Sequence, residues 1–170
     1  PGQLSVGQVQ RILSQLLKEG VPIRNLQTIL EALADSCVDT KDPAKLVEQV
    51  RSRIARTIVE PHLDPQGTLH AAFLEPDLER TLAEALSGQE GVGNLPSGFL
   101  GRFVDSTANA LADMAKKGRD PVLVTRATLR PFLAEAISGV IPNAAVLSYQ
   151  ETAPAKRIET TQRIAVAASA

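Results

Sequence analysis

The chain has 170 residues, 44% hydrophobic and 22% charged, which suits one globular domain, or two small ones, with a core of its own. Eighteen lysines and arginines stand against 19 aspartates and glutamates, a formal charge of −1, and that balance argues against nucleic acid as the main partner. Five aromatic residues and no tryptophan leave little to build a base-stacking platform.

Taken in chain order, the first element is a helix. Ser5 and Gln8 have capping-box spacing, and Val6, Val9, Leu13, Leu16 and Leu17 follow on one face until Gly20 and Pro22 stop it. A second helix is predicted over 25–36, with Leu26, Ile29, Leu30 and Leu33 apolar. A third opens with Asp42 as N-cap and Pro43 in the first turn. Its buried stripe is predicted to be Leu46, Val47, Val50, Ile54 and Ile58, and its solvated face Lys45, Glu48, Arg51, Ser52 and Arg56. After a turn at 64–67 the pattern changes: a strand over 68–74, a helix from Pro76 to about Leu86, and a Gly-rich loop over 87–98. A helix over 99–117 closed by Gly118, a strand at 122–124, a helix over 127–138, and strands at 145–148 and 157–166 complete the chain. The fold class expected is α+β: a small helical subdomain over 1–62, then an α/β subdomain over 65–170 with a sheet of about four strands.

The residue types that carry chemistry stand in patterns with structural roles. The Gly88–Asn94 segment lacks the Lys and Ser/Thr that a P-loop needs, and Glu90 would repel phosphate. Glu75, Asp77 and Glu79 cluster at a helix start, where negative charge suits the dipole. Asp35, Asp39 and Asp42 flank a helix–helix loop, where turn and cap roles suffice. Ser97 lies in Pro-Ser-Gly and not in a nucleophile elbow. Cys37, the single cysteine, can form no internal disulfide and suits a reducing compartment. With His62 and His70 it cannot complete the usual structural zinc set. No stretch reaches the roughly 18 apolar residues of a membrane helix. The chain opens on Pro1 without a signal-peptide pattern and reads as a segment of something longer. No catalytic, cofactor or metal site is expected. Arg51, Arg53 and Arg56, with Arg11 and Arg24, form either a solvated helix face or a partner surface. A small nucleotide- or metabolite-binding α/β domain is the alternative reading. A helix-turn-helix at 4–36 fits poorly with the near-neutral charge.

Four stretches carry a family resemblance. Residues 4–35, opening Leu-Ser-Val-Gly-Gln-Val-Gln-Arg-Ile-Leu, strongly resemble the cytoplasmic region of the FlhA/SctV export-gate family of bacterial type III secretion systems. The runs Thr-Lys-Asp-Pro at 40–43 and Val-Arg-Ser-Arg-Ile-Ala-Arg at 50–56 are similar to that family's next helix. Val-Leu-Ser-Tyr-Gln-Glu at 146–151 resembles its C-terminal strand signature. The resemblance implies a non-enzymatic, ring-forming scaffold at the cytoplasmic face of the bacterial inner membrane, anchored through parts outside this chain. It implies partners in export substrates, their chaperones, the stalk of the ATPase complex and neighbouring copies of the same protein. The matched residues available for such contacts are Arg11, Arg24, Lys41, Asp42, Arg51, Arg56 and Tyr149.

Overall fold

A computed structural model describes residues 4–88, 93, 95–141 and 143–166. The chain forms two compact units: Pro1–Pro61 with Gln150–Pro154, and His62–Tyr149 with Ala155–Ala170. The fold is α+β, with seven α-helices and one four-stranded sheet among the described residues.

The helical unit holds α1 (Val6–Lys18), α2 (Leu26–Ser36), α3 (Pro43–Arg53) and α4 (Ala55–Val59). Ser5 and Gln8 form the expected capping box, Gln8 N–H donating to Ser5 Oγ at 3.2 Å and Ser5 N–H to Gln8 Oε1 at 2.8 Å. Asp42 caps α3 through Ala44 N–H at 3.0 Å. The buried face of α1 is Ile12 and Leu16, with Val9 and Leu13 half-buried. Val6 and Leu17, expected inside, are 86% and 53% exposed. Leu26 and Leu30 of α2 are likewise exposed, and Ile29, Ala32 and Leu33 carry its core face. The single helix expected beyond Asp42 breaks once, at buried Ile54, which serves as C-cap of α3 and N-cap of α4. A one-residue interruption leaves Ile58 on the buried side. A 3-10 turn, Gln150–Thr152, packs on α3 and α4 within this unit.

The sheet unit contains β1 (Thr68–Leu74), α5 (Pro76–Ser87), α6 (Phe99–Lys116), β2 (Val122–Thr125), α7 (Arg130–Ser138), β3 (Ala145–Ser148) and β4 (Arg157–Ile164). All pairings are parallel, in the order β3-β2-β1-β4. β2 is buried throughout and β1 nearly so, the mark of a parallel sheet covered on both faces. Leu78, Leu82, Phe103, Leu111, Met114, Leu133 and Ile137 supply helix side chains to that core. Edge strand β4 carries exposed Arg157, Glu159 and Arg163, and its register with β1 shifts at Ala71/Ala72. Charge and bulge together blunt the edge against pairing with another chain.

Helix α7 starts at Arg130, three residues later than the pattern predicts. Pro131 has no N–H, so it fits only the first turn; a start at Ala127 would need a donor from it. β4 stops at Ile164, two residues short of expectation, and β2 runs one residue longer, to Thr125. Gly118 takes φ +71 after α6, the left-handed stop its position predicts. Most of the Gly88–Asn94 segment lies outside the described residues.

Candidate functional site

Three polar clusters are built from residues far apart in sequence, one in the helical unit and two in the sheet unit. In the helical unit Arg51 is the organiser. Expected on the solvated face of α3, it is 2% exposed. The reason is spacing: Val47, Arg51, Ile54 and Ile58 recur at helical intervals, so the guanidinium falls on the apolar stripe. Nη1 donates to Glu19 Oε2 at 2.9 Å, and Nη2 lies 2.9 Å from Glu151 Oε1. The second contact falls outside hydrogen-bond angles and acts as a Coulombic pair. Glu151 is 1% exposed. Two of the stretches that carry the family resemblance, 50–56 and 146–151, therefore meet in one buried ion pair.

In the sheet unit the organiser is Glu79, in the first turn of α5, its side chain 8% exposed. Oε1 accepts from Thr125 Oγ1 at 2.9 Å and from the Arg126 backbone N–H at 3.0 Å. Oε2 accepts from Arg126 Nε at 3.1 Å and from Tyr149 Oη at 3.4 Å. Tyr149 stacks on Phe73, ring centroids 6.2 Å apart. Burial first, then the Glu79 carboxylate, pushes the Tyr149 phenol above its ordinary pKa. The cluster sits where β1, β2 and β3 end. The carboxyl edge is where open parallel sheets hold their ligands. Here Glu79 occupies that edge and is satisfied by the protein's own donors, which does not favour the nucleotide-binding alternative.

A third cluster lies at the start of β1. Asp64 Oδ1 accepts from the backbone N–H groups of Gln66 and Thr68, and Oδ2 lies 2.9 Å from His70 Nε2. These bonds, the Thr68 N–H foremost and then His70, hold the Asp64 carboxyl below the usual aspartate range. His70 Nδ1 is 3.5 Å from Glu159. The expected strand position of His70 holds, and His62 ends a 3-10 turn beside Asp120 at 3.0 Å. Among the described residues no three His, Cys, Asp or Glu side chains gather as metal ligands, and no helix is long and apolar enough to cross a membrane.

Arg11, Arg24, Lys41, Asp42, Arg56 and Tyr149 are exposed. Arg11 Nε reaches only Gly7 O of its own helix, at 3.3 Å. Cys37 is buried and donates to Ala34 O. Glu79, Arg126 and Glu151 belong to these clusters and are not among the residues the sequence pattern marks as contacts. Glu79 had a legible signal, since it stands at i, i+3 and i+7 with Leu82 and Leu86, beside the apolar stripe of α5.

The class these features define is an α+β protein whose parallel sheet fills its own carboxyl edge and whose helical unit carries apolar and cationic side chains on its surface. Its family follows from comparison. Residues 1–157 match the FHIPEP family, and the chain belongs to it. It is 34% identical to the flagellar biosynthesis protein FlhA of Escherichia coli K12 over 164 residues, 96% of this chain and 23% of that protein. Of solved structures, the Chlamydia pneumoniae CdsV and CdsO protein complex superposes with a TM-score of 0.83 at 27% identity, over 96% of this chain and 48% of that one. Nonameric EPEC SctV-C gives 0.82 at 26%, over 95% and 49%. The expected kinship with FlhA and SctV proteins therefore holds. The chain spans less than a quarter of the length of the curated relatives it matches.

Proposed function

We propose that this chain is a non-enzymatic part of the ring-forming cytoplasmic region of a bacterial type III export gate, at the cytoplasmic face of the inner membrane. It presents rigid surfaces to neighbouring copies, to export substrates and their chaperones, and to the ATPase-complex stalk. The chain supplies the last two subdomains of that region, a helical one over 1–62, on which the turn at 150–154 packs, and an α/β one over 65–170. The observation that carries the reading is the family match over residues 1–157, joined to the likeness to a nonameric assembly and to a two-protein complex. Exposed Arg11, Arg24, Lys41, Asp42 and Arg56 serve contacts on the helical module, and Tyr149 on the other. Arg51 is left out of that set, because a buried cation already paired to two carboxylates presents nothing to a partner. Affinity at each surface comes from a few anchors and stays weak enough for substrates to leave. The test is in-frame removal of this segment from its gene in the parent bacterium. Type III export into the medium is expected to stop and to return with the whole gene. Unchanged export would overturn the proposal.

A further inference from the structure

We propose that Arg126 and Tyr149 form a preorganised docking spot for a carboxylate side chain of a protein partner, a proposal that rests on the docking role above. Arg126 is fixed twice by one buried group: its backbone N–H and its Nε both donate to Glu79. That leaves the Nη pair, the end of the guanidinium fork, outside the Glu79 bonds on a side chain that is 49% exposed. Two parallel N–H donors in this arrangement match the two oxygens of a carboxylate. A surface arginine ordinarily loses rotamer freedom when it binds, and here Glu79 has already removed it. Tyr149, whose hydroxyl shares Glu79 Oε2 with Arg126 Nε, adds a flat aromatic surface. It is 44% exposed, its ring rests on Phe73 and its hydroxyl faces Glu79. Arginine and tyrosine are the side chains that most often dominate protein–protein binding energy.

The charge beneath the spot selects the ligand. Glu79 offsets much of the Arg126 charge, so a single planar monoanion fits better than a phosphate dianion, which draws on several cations. Arg126 is also more than a neutraliser of Glu79. The carboxylate takes three further hydrogen bonds, from Thr125 Oγ1, the Arg126 backbone N–H and Tyr149 Oη. Serving Glu79 uses only the Nε edge of the guanidinium.

The experiment uses the 170-residue chain, labelled for arginine side-chain NMR, and a capped hexapeptide alternating glutamate and leucine. The same peptide with glutamine in place of glutamate is the control. A saturable shift of the Arg126 Nε–Hε signal and the Tyr149 amide is expected with the acidic peptide and not with the control. Arg126→Gln removes the Tyr149 response, and Arg126→Lys weakens binding by about fivefold or more, because an ammonium cannot make the paired bonds. Unchanged amide spectra away from Arg126 in the lysine variant establish that it is folded. No saturable shift up to about 10 mM peptide, equal response to both peptides, or wild-type binding by Arg126→Lys would overturn the proposal. Failure here leaves the export assay above untouched. Binding here with export unaffected by loss of the segment would overturn only the export reading.

Discussion

Among several buried ionisable side chains, Arg51 in the helical unit and Glu79 in the sheet unit each organise a polar cluster, with opposite charge and by different means. The helical unit encloses a cation, Arg51, between carboxylates from residues 19 and 151. The sheet unit encloses an anion, Glu79, and satisfies it mainly with neutral donors: a threonine hydroxyl, a backbone N–H and a tyrosine hydroxyl, plus one edge of a half-exposed arginine. The first arrangement depends on charge and ties the 150–154 segment to its helices. The second depends on hydrogen bonds and closes one end of a sheet. Loss of the organiser should therefore cost the helical unit more, since it strands buried charge, whereas loss of charge at Glu79 in Glu79→Gln leaves half of its donors with an acceptor.

The largest effect expected is that of Arg51→Met. Leaving Glu151 buried without its cation should cost about 3–5 kcal/mol, read by urea unfolding followed at a probe in the helical unit. The double variant Arg51→Met with Glu151→Gln should recover part of that loss, because the stranded charge is gone. A cost below about 1 kcal/mol for Arg51→Met, the range of exposed pairs, would break the comparison.

Glu79→Gln should cost about 1–3 kcal/mol, measured in the same way on the sheet unit. The single tyrosine and absence of tryptophan permit a sharper reading, because phenolate absorbance reports Tyr149 alone. Its titration should lie above the ordinary tyrosine range, fall in Glu79→Gln, and rise further in Arg126→Gln, since Glu79 raises and Arg126 lowers it. A phenol whose pKa is raised on folding contributes stability below the unfolded value that is lost as pH climbs through the folded one. Coincident titrations in all three proteins would contradict the geometry of the cluster.

Asp42→Ala should cost about 1 kcal/mol through loss of the α3 cap, visible as a small shift of the urea midpoint with unchanged slope. The Asp64 effect is the smallest. Its pKa is lowered on folding, so its contribution is present above the ordinary aspartate range and disappears as pH falls through the folded value. The stability difference between wild type and Asp64→Asn should accordingly shrink on acidification below about pH 4. A difference that does not change with pH would remove the electrostatic role.

Much of this was legible beforehand where the signal is local. The Ser5–Gln8 box, the Asp42-Pro43 start and the bounds of β1 and β3 depend on neighbouring residues, and they appear as the pattern predicts. Failures cluster where a distant partner decides. Spacing alone puts Arg51 on the apolar stripe of α3, but the carboxylates that let it stay there, Glu19 at the C-cap of α1 and Glu151 a hundred residues on, have no local signal. Val6 and Leu17 have the periodicity of core residues and stay exposed, since periodicity gives a face and not its width. Glu79 stands at the start of α5 as the pattern predicts, but its four bonds come from β2, the residue after it and the end of β3, which no local pattern shows.

The central claim is that this chain works by contact within an export gate. The most direct measurement is crosslinking of the whole protein in export-competent cells of the parent bacterium, with the crosslinked residues identified by mass spectrometry. The account predicts links from exposed positions on this chain, such as Lys41, to neighbouring copies and to other export components, in numbers that fall when export is blocked. Links absent from this segment while the rest of the protein crosslinks to the same partners would contradict it.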